Sequence, residues 1–208
     1  MEFKKVLENV NQYFEEKLKS QNNDAKDLNW VTNPALEMQF EQLSKVIEPG
    51  TSFSLLDYGA GFGNYYQYLV EKAYKVRLYY GFDLLEFVVQ EERKRHDEDS
   101  NVIFTTDLSD CTEVDYVVAC GVFDMKLNAD HEQWTKYVLR CIEDIDEIAT
   151  KGFALNFPSK YTPEDKKRDD IYYADPCCLF DYCKLHFSPH VAILHDYDME
   201  NFTVIIRK

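Results

Sequence analysis

Three glycines at alternate positions, Gly59, Gly61 and Gly63, are the residues whose type and spacing point most directly to chemistry. They follow the apolar run 53–58, and the segment after them, from Asn64, reads as a helix. A strand, a glycine turn and a helix bring backbone N–H groups and a helix N-terminus close to a nucleotide-like ligand. Glycine suits this turn because it adopts positive φ and has no Cβ to block the ligand. A tight turn that only joins a strand to a helix shows the same pattern and remains the alternative.

The spacing Gly-x-Gly-x-Gly, with the acidic residue Asp57 two positions before it, resembles motif I of the class I S-adenosylmethionine (SAM)-dependent methyltransferases. Dinucleotide-binding enzymes have Gly-x-Gly-x-x-Gly instead. The resemblance implies SAM as the cofactor and S-adenosylhomocysteine (SAH) as its product, with the acidic residue near the amino end of the methionine moiety. It also implies that the cofactor contacts the turn at Gly59, Ala60, Gly61 and Gly63.

A second acidic residue, Asp83, follows the next predicted strand, residues 76–82, and lies twenty positions beyond the last glycine. A carboxylate at this spacing accepts hydrogen bonds from ribose hydroxyls in nucleotide-binding folds. The same residue also fits the N-terminal cap of the helix predicted over 85–94. We favour the ribose role, because both the spacing and the strand-end location agree with it, and we assign the adjacent Leu84 to the same site.

The residues that follow the third and fourth predicted strands are further candidates. In the methyltransferase pattern the first group contacts the adenine, and the second lies where the sulfonium and the acceptor meet. Both locations are carboxyl ends of strands, where open α/β sheets collect their ligands. The first group is Asp107 and Leu108, and the second is Cys120, Gly121 and Phe123.

Strands that alternate with helices, followed by two final strands, predict an α/β fold with a Rossmann-like seven-stranded methyltransferase sheet. The sheet is mostly parallel, has helices on both faces and ends in an antiparallel hairpin. The predicted strands cover residues 53–58, 76–82, 101–106, 115–120, 151–157, 189–195 and 201–207. Nicotinamide dehydrogenases lack the closing hairpin, so a nicotinamide-dependent oxidoreductase is the less favoured alternative.

The sequence predicts a single methyltransferase domain over residues 1–208. Two helices with apolar residues at three-and-four spacing, over 2–19 and 34–47, precede the first strand. They make residues 1–50 an N-terminal helical cap and leave 51–208 as the SAM-binding core. Methyltransferases commonly use such helices as a lid, but plain packing against the core explains the same pattern.

Four further segments resemble a group of small bacterial class I methyltransferases of unassigned substrate. These segments are residues 13–18, Trp30, residues 40–43 and residues 172–176. The resemblance spans nearly the whole chain, and it adds Trp30 to the cofactor site as an aromatic side chain facing the sulfonium.

The sequence departs from this group at two positions. The group leads us to expect Gln and Arg where this chain has Leu36 and Gln39. If the Arg holds the carboxylate of SAM, Gln39 takes that role only as a neutral donor.

The formal charge of −15 argues against a protein that grips phosphate backbones. We therefore expect no nucleic-acid partner, and an oxygen or nitrogen acceptor on a small molecule or biosynthetic intermediate. No segment reaches the length of a membrane span, and the first residues do not read as an export signal. This favours a cytoplasmic protein without a membrane partner, whereas the oligomeric state is not predicted.

No metal is predicted, although cysteine and histidine cluster near the C-terminus, because their spacing matches no zinc pattern. Candidates for a general base are His186, His195, Asp124 and Tyr173, and the sequence does not separate them. The charged loop 158–170 is either an acceptor lid or a solvated insertion. A protein that binds SAM without catalysis remains the other alternative.

Overall fold

The computed structural model describes residues 2–20 and 33–208. Its helices are α1 (Glu2–Ser20), α2 (Pro34–Ser44), α3 (Asn64–Glu71), α4 (Glu86–Arg95), α5 (His131–Ile148) and α6 (Pro176–His186). Its strands are β1 (Ser52–Tyr58), β2 (Lys75–Phe82), β3 (Val102–Thr105), β4 (Val114–Ala119), β5 (Ala149–Pro158), β6 (His190–Leu194) and β7 (Asn201–Arg207). No helix in the described part of the chain is long and apolar enough to span a membrane.

Side-chain caps define where several helices begin. Asn33 accepts a hydrogen bond from the Ala35 backbone at the start of α2, and Asp175 accepts one from Cys177 at the start of α6. Each cap is followed by a proline at the first helical position, where the missing N–H costs nothing. The short polar residue before proline thus sets these two helix starts.

The seven strands form one sheet in the order β3-β2-β1-β4-β5-β7-β6. Strands β1 to β5 pair in parallel, and β7 runs antiparallel to both β5 and β6. This order confirms the predicted methyltransferase sheet and its closing hairpin. The strand order reverses between β1 and β4, whose carboxyl ends therefore border the crevice where such sheets bind ligands.

The sheet separates two apolar cores. One core contains the buried side chains of α2 and α3, and the other contains those of α5 and α6. Leu36, Phe40 and Leu43 of α2 are buried against the sheet, so α2 is a packing helix of the fold. Leu7 and Val10 of α1 pack against the opposite core, on the side of α5 and α6.

The turn after β1 packs closely against the segment after β4 at Gly59. Its φ is +84°, and a Cβ at this position would lie 2.3 Å from Cγ2 of Val122. Glycine is therefore required here both for backbone conformation and for space. The close contact holds the turn after β1 against the segment after β4.

We expect Gly59→Ala to lower the free energy of unfolding by about 1–3 kcal/mol more than Gly50→Ala, because overpacking adds to backbone strain. Gly50 is the matched control, since it has φ +78° but no atom within 4 Å of the position that a Cβ would take. Urea denaturation of both variants measures the difference. An equal loss of unfolding free energy in the two variants would show that Val122 moves aside without destabilising the protein.

Candidate functional site

The turn after β1, residues 59–63 (the glycine turn), is anchored to the end of β2. The backbone N–H groups of Gly59 and Ala60 both donate to the carbonyl of Phe82, at 2.7 and 2.9 Å. Asp83 continues this anchoring, because its Oδ2 accepts a hydrogen bond from the Gly61 N–H at 2.9 Å. The carboxyl ends of two neighbouring strands thus hold one turn in place.

Asp83 also contacts the beginning of α4. Its Oδ1 accepts a hydrogen bond from the Leu85 N–H at 2.9 Å, just before the first turn of that helix. Burial raises the pKa of Asp83, and its backbone hydrogen bonds oppose this shift. Asp83 therefore makes the helix-cap contact that the sequence offered as the alternative to the ribose role. The ribose role stays a prediction. Leu84 beside it is exposed.

The three glycines of the turn have different surroundings. A Cβ on Gly63 would lie 2.9 Å from Oε2 of Glu92, and Gly59 is blocked by Val122. A Cβ on Gly61 would meet no atom within 4 Å. Gly59 and Gly63 therefore serve packing, whereas Gly61 borders open space that a ligand can occupy.

Asp57 lies at the end of β1, buried beneath the glycine turn with only 2% of its surface exposed. The hydroxyl of Tyr79 donates to its Oδ2 at 2.7 Å. Burial raises the pKa of Asp57 to about 7, against the hydrogen bond from Tyr79 and with a further contribution from Asp83. A nearby positive group would therefore favour the ionised form of this carboxyl.

Asp107 and Leu108 follow β3, as expected, but their side chains are used locally. Oδ1 of Asp107 accepts hydrogen bonds from the hydroxyl and the N–H of Ser109, which lower the pKa of the carboxyl. Leu108 is half-buried and packs against the α5/α6 core. The structure places both residues at a carboxyl strand end, and their adenine contact stays a prediction.

A polar cluster links the end of β4 to β5 and α2. Asn156 is fully buried, and its Oδ1 accepts the Gly121 N–H at 2.8 Å. Its Nδ2 donates to Oε1 of Gln39 at 2.5 Å, and Sγ of Cys120 donates to the same oxygen at 3.4 Å. Burial raises the pKa of Cys120, so its thiol stays neutral.

Asn156 is a site residue that was not predicted from the sequence. Asn156-Phe157-Pro158 partly matches the Asn/Asp-Pro-Pro-aromatic motif of amino-methyltransferases, but it lies at the end of the fifth strand and not after the fourth, so the match predicts no role. A second signal is that Asn156 is a lone amide side chain inside the otherwise apolar end of β5. Such a residue needs hydrogen-bond partners when buried, and here it finds them at the end of β4.

Phe123, which the sequence predicted for the cofactor site, has its ring in the apolar core. The residue is fully buried, and its ring stacks on Phe157 at 5.3 Å between centroids. Such stacked aromatic pairs stabilise a core, and the sulfonium contact of Phe123 stays a prediction. Trp30, also predicted for this site, lies outside the described residues.

Asp124 follows the end of β4 and has an unusual environment. Its Oδ1 is buried without a hydrogen-bond partner in the described structure. The carboxylates of Glu92 and Asp146 also have buried oxygens without hydrogen bonds, but they pair with Arg95 and Lys208. Among these three carboxylates, Asp124 has no ion pair, and burial raises its pKa to about 7.

The structure separates Asp124 from the other candidates for a general base. His186 and His195 are exposed, and the hydroxyl of Tyr173 accepts a hydrogen bond from the Arg168 N–H. Within residues 2–20 and 33–208, no group of three or more His, Cys, Asp or Glu side chains is arranged to hold a metal ion.

Comparison with known proteins identifies the family. No protein-family model matches the chain. It is 34% identical over 164 residues to the Mycobacterium tuberculosis (strain ATCC 25618 / H37Rv) protein named "Putative methyltransferase Rv1506c", covering 79% of this chain and 98% of that protein.

Solved structures share the fold at low sequence identity. The N-methyltransferase NodS from Bradyrhizobium japonicum, in complex with SAH, has a TM-score of 0.66 at 14% identity, covering 96% of this chain and 98% of that chain. The 1,6-didemethyltoxoflavin-N1-methyltransferase of Burkholderia thailandensis has a TM-score of 0.62 at 16% identity, covering 97% and 89%. A chain of the Pnkp1/Rnl/Hen1 RNA repair complex has a TM-score of 0.60 at 18% identity, covering 82% and 41%.

The sheet order and the glycine turn are those of a class I methyltransferase fold. Together with the mycobacterial relative, they show that the chain belongs to the class I SAM-dependent methyltransferases and is an enzyme of that class. This confirms the family that the sequence predicted.

We expect the free energy of unfolding of the cofactor-free protein to fall as pH rises from 5 to 8. In the folded protein Asp57 keeps its proton up to about pH 7, whereas in the unfolded chain it releases the proton near pH 4. This difference stabilises the folded state fully below about pH 4, and the stabilisation is lost as the pH rises to about 7. The loss is up to about 4 kcal/mol for one such group. Asp57→Asn removes this contribution and makes the slope smaller in urea denaturation across this pH range, while the contribution of Asp124, whose pKa is also raised to about 7, remains.

Asp196→Asn is the matched control, because Asp196 is exposed in the loop before β7. This variant should keep the slope of the unsubstituted protein. An unchanged slope in Asp57→Asn would show that the buried carboxyl is not protonated near neutral pH.

Proposed function

We propose that this methyltransferase moves a methyl group from SAM to an oxygen or nitrogen atom of a small-molecule or biosynthetic-intermediate acceptor. One observation carries the proposal. An open glycine turn and the half-buried Asp124, whose Oδ1 is buried without a hydrogen-bond partner, lie at the carboxyl ends of adjacent strands β1 and β4. The first fits a nucleoside cofactor, and the second fits an acceptor that must lose a proton.

The residues present fit SAM. The open side of Gly61 accommodates the cofactor, and Asp83, beside the turn, is our candidate for the ribose hydroxyls. The buried carboxyl of Asp57 provides negative charge for the amino end of the methionine moiety. Gln39 uses its oxygen for Asn156 and Cys120, so its Nε2 is the neutral donor it offers to the cofactor's carboxylate.

Bound SAM supplies an electrophilic methyl group on a cationic sulfur. The contribution of the chain is to orient the acceptor and to receive its proton. The amide of Asn156 fixes the backbone at Gly121, and the neutral thiol of Cys120 does not compete as a nucleophile. The carboxylate of Asp124 is the proton acceptor, because a pKa near 7 suits a base that works at neutral pH.

Two lines of support favour a small acceptor. The net charge of −15 opposes the approach of polyanions. Two proteins of similar fold are named as N-methyltransferases, one of them with 1,6-didemethyltoxoflavin bound. We therefore place nitrogen acceptors first in an acceptor screen.

We expect Gly61→Val to abolish SAH binding, because its side chain enters the open space beside the turn. Calorimetric titration with SAH measures this, with NADH as the ligand control. Gly50→Val is the matched control, since Gly50 also has positive φ and an open surrounding but lies before β1. The two variants should lose similar stability, and retained SAH affinity in Gly61→Val would remove the glycine turn from the cofactor site.

We expect Asp124→Asn to lower the rate of methyl transfer by about 10²–10⁴-fold, the usual contribution of a general base. The rate of the unsubstituted enzyme should rise with pH through about 7, as Asp124 ionises, and the variant should lose this rise. SAH affinity should stay unchanged. Measurements use the acceptor found in the screen, with the exposed Asp181→Asn as control.

A rate within twofold of the control would exclude Asp124 as the proton acceptor. Binding of SAH without methylation of any acceptor would instead support the non-catalytic alternative.

A further inference from the structure

A cleft of about 400 Å³ adjoins the segment that carries Asp124. It lies between the β4–α5 connection and the loop after β5, and we call it the basic cleft. Its charged lining residues are Lys126, Lys160, Lys167 and Arg168, together with Glu164 and Asp169. Four cations and two carboxylates line the cleft, and two further carboxylates, Asp170 and Asp175, pair with cations of the lining. Cations outnumber carboxylates in this lining, whereas Asp and Glu outnumber Lys and Arg by 38 to 23 in the whole chain.

Three of the four cations have carboxylate partners that a ligand can replace. Lys160 pairs with Asp175 at 2.6 Å, Lys167 with Glu164 at 2.5 Å, and Arg168 with Asp170. These pairs lie at the surface, where ion pairs contribute little to stability. Exchanging one of these partners for an anionic ligand therefore costs little.

Lys126 differs from the other three cations. Its Nζ donates to the carbonyl of Ala129 at 3.3 Å, and it has no carboxylate within ion-pair distance in the described part of the chain. The side chain is half-buried. Asp170, which pairs with Arg168, is close enough that Lys126 helps to lower the pKa of its carboxyl. A partly buried ammonium without an ion pair of its own attracts an anion more strongly than an exposed, paired one.

The basic cleft begins next to the proposed proton acceptor. Two short segments run side by side there, with the Tyr172 N–H donating to the Asp124 carbonyl at 2.7 Å and the Leu127 N–H to the Asp170 carbonyl at 3.0 Å. Asp124 and Lys126 are two residues apart, so their Cα atoms are separated by at most about 7 Å. Lys126 lines the cleft and Asp124 does not, so an acceptor that reacts beside Asp124 reaches the cleft by extending along this segment.

We propose that the acceptor carries a carboxylate or phosphate group and that the basic cleft binds this group, with Lys126 as its main cation. The inference rests on the proposed function, because it assumes that the acceptor reacts beside Asp124. It adds the chemical class of the acceptor, a small anionic molecule. A nucleic-acid backbone is also anionic, but the total charge disfavours it.

The test is calorimetric titration of the full chain, with and without saturating SAH, using inorganic phosphate and malonate as separate probes. We expect one probe to bind with a Kd of about 1 mM or tighter. Lys126→Gln should weaken this binding about tenfold or more, and Arg168→Gln, a second variant, should weaken it too. The better probe identifies the anionic group as phosphate or carboxylate.

A second basic cleft provides the matched control. It has a similar volume, about 390 Å³, and lies at the amino ends of the strands, where it is lined by Lys45, Lys151, Arg207 and Lys208. Lys45→Gln makes the same substitution there, far along the strands from Asp124. This variant should bind the probes as the unsubstituted protein does.

Three outcomes would overturn the proposal. They are equal binding by Lys126→Gln and Lys45→Gln, no binding of either probe, and binding of a short RNA that depends on Lys126 and is tighter than that of the probes. The last would assign the basic cleft to a nucleic acid. Failure of SAH to bind would instead contradict the proposed function, and the titrations without SAH keep the two failures apart.

Discussion

The hydrogen bonds between the glycine turn and the end of β2 are the interactions on which the rest of the site depends. The Phe82 carbonyl accepts two N–H groups of the turn, and Asp83 accepts a third. These bonds fix a backbone that would otherwise have many conformations, because glycine restricts φ and ψ so little. With the turn fixed, Gly59 can pack against Val122 and Gly61 can border open space. The surface that we propose for the cofactor is therefore formed by backbone whose position β2 determines.

The site also contains two carboxyls in positions that oppose their ionisation. Asp57, at the end of β1, and Asp124, after β4, each have a pKa raised to about 7 by burial. A buried carboxylate without a cation is unfavourable for folding, and such strain is common where a ligand later supplies the missing partner. The hydroxyl of Tyr79 donates a hydrogen bond to Asp57 in place of a cation. The buried Oδ1 of Asp124 has no hydrogen-bond donor among the described side chains. This difference is the reason for assigning the cofactor's charge to the first and the acceptor's proton to the second.

Much of the fold was predictable from local patterns. Strand-forming runs, helical periodicity and the two capped proline starts placed the described helices and strands within a few residues, because these signals act between neighbours in the chain. Side-chain environments were less predictable. Phe123 was expected at the sulfonium, but its ring belongs to the core stack with Phe157. Asn156 was passed over, because its partners, Gly121 and Gln39, lie 35 and 117 positions away in the chain.

The sequence by itself determined the class of this protein. The glycine spacing, the acidic residues at strand ends and the closing hairpin are local patterns. Each depends on the residue types and spacing within a short segment of the chain. Only the tertiary structure decided that Gly61 is the glycine open to a ligand, that Oδ1 of Asp124 is buried without a hydrogen-bond partner, and that Lys126 lines a cleft with three other cations. The physical reason is that burial, ion pairing and free space depend on which distant segments meet, and a sequence pattern does not contain those contacts.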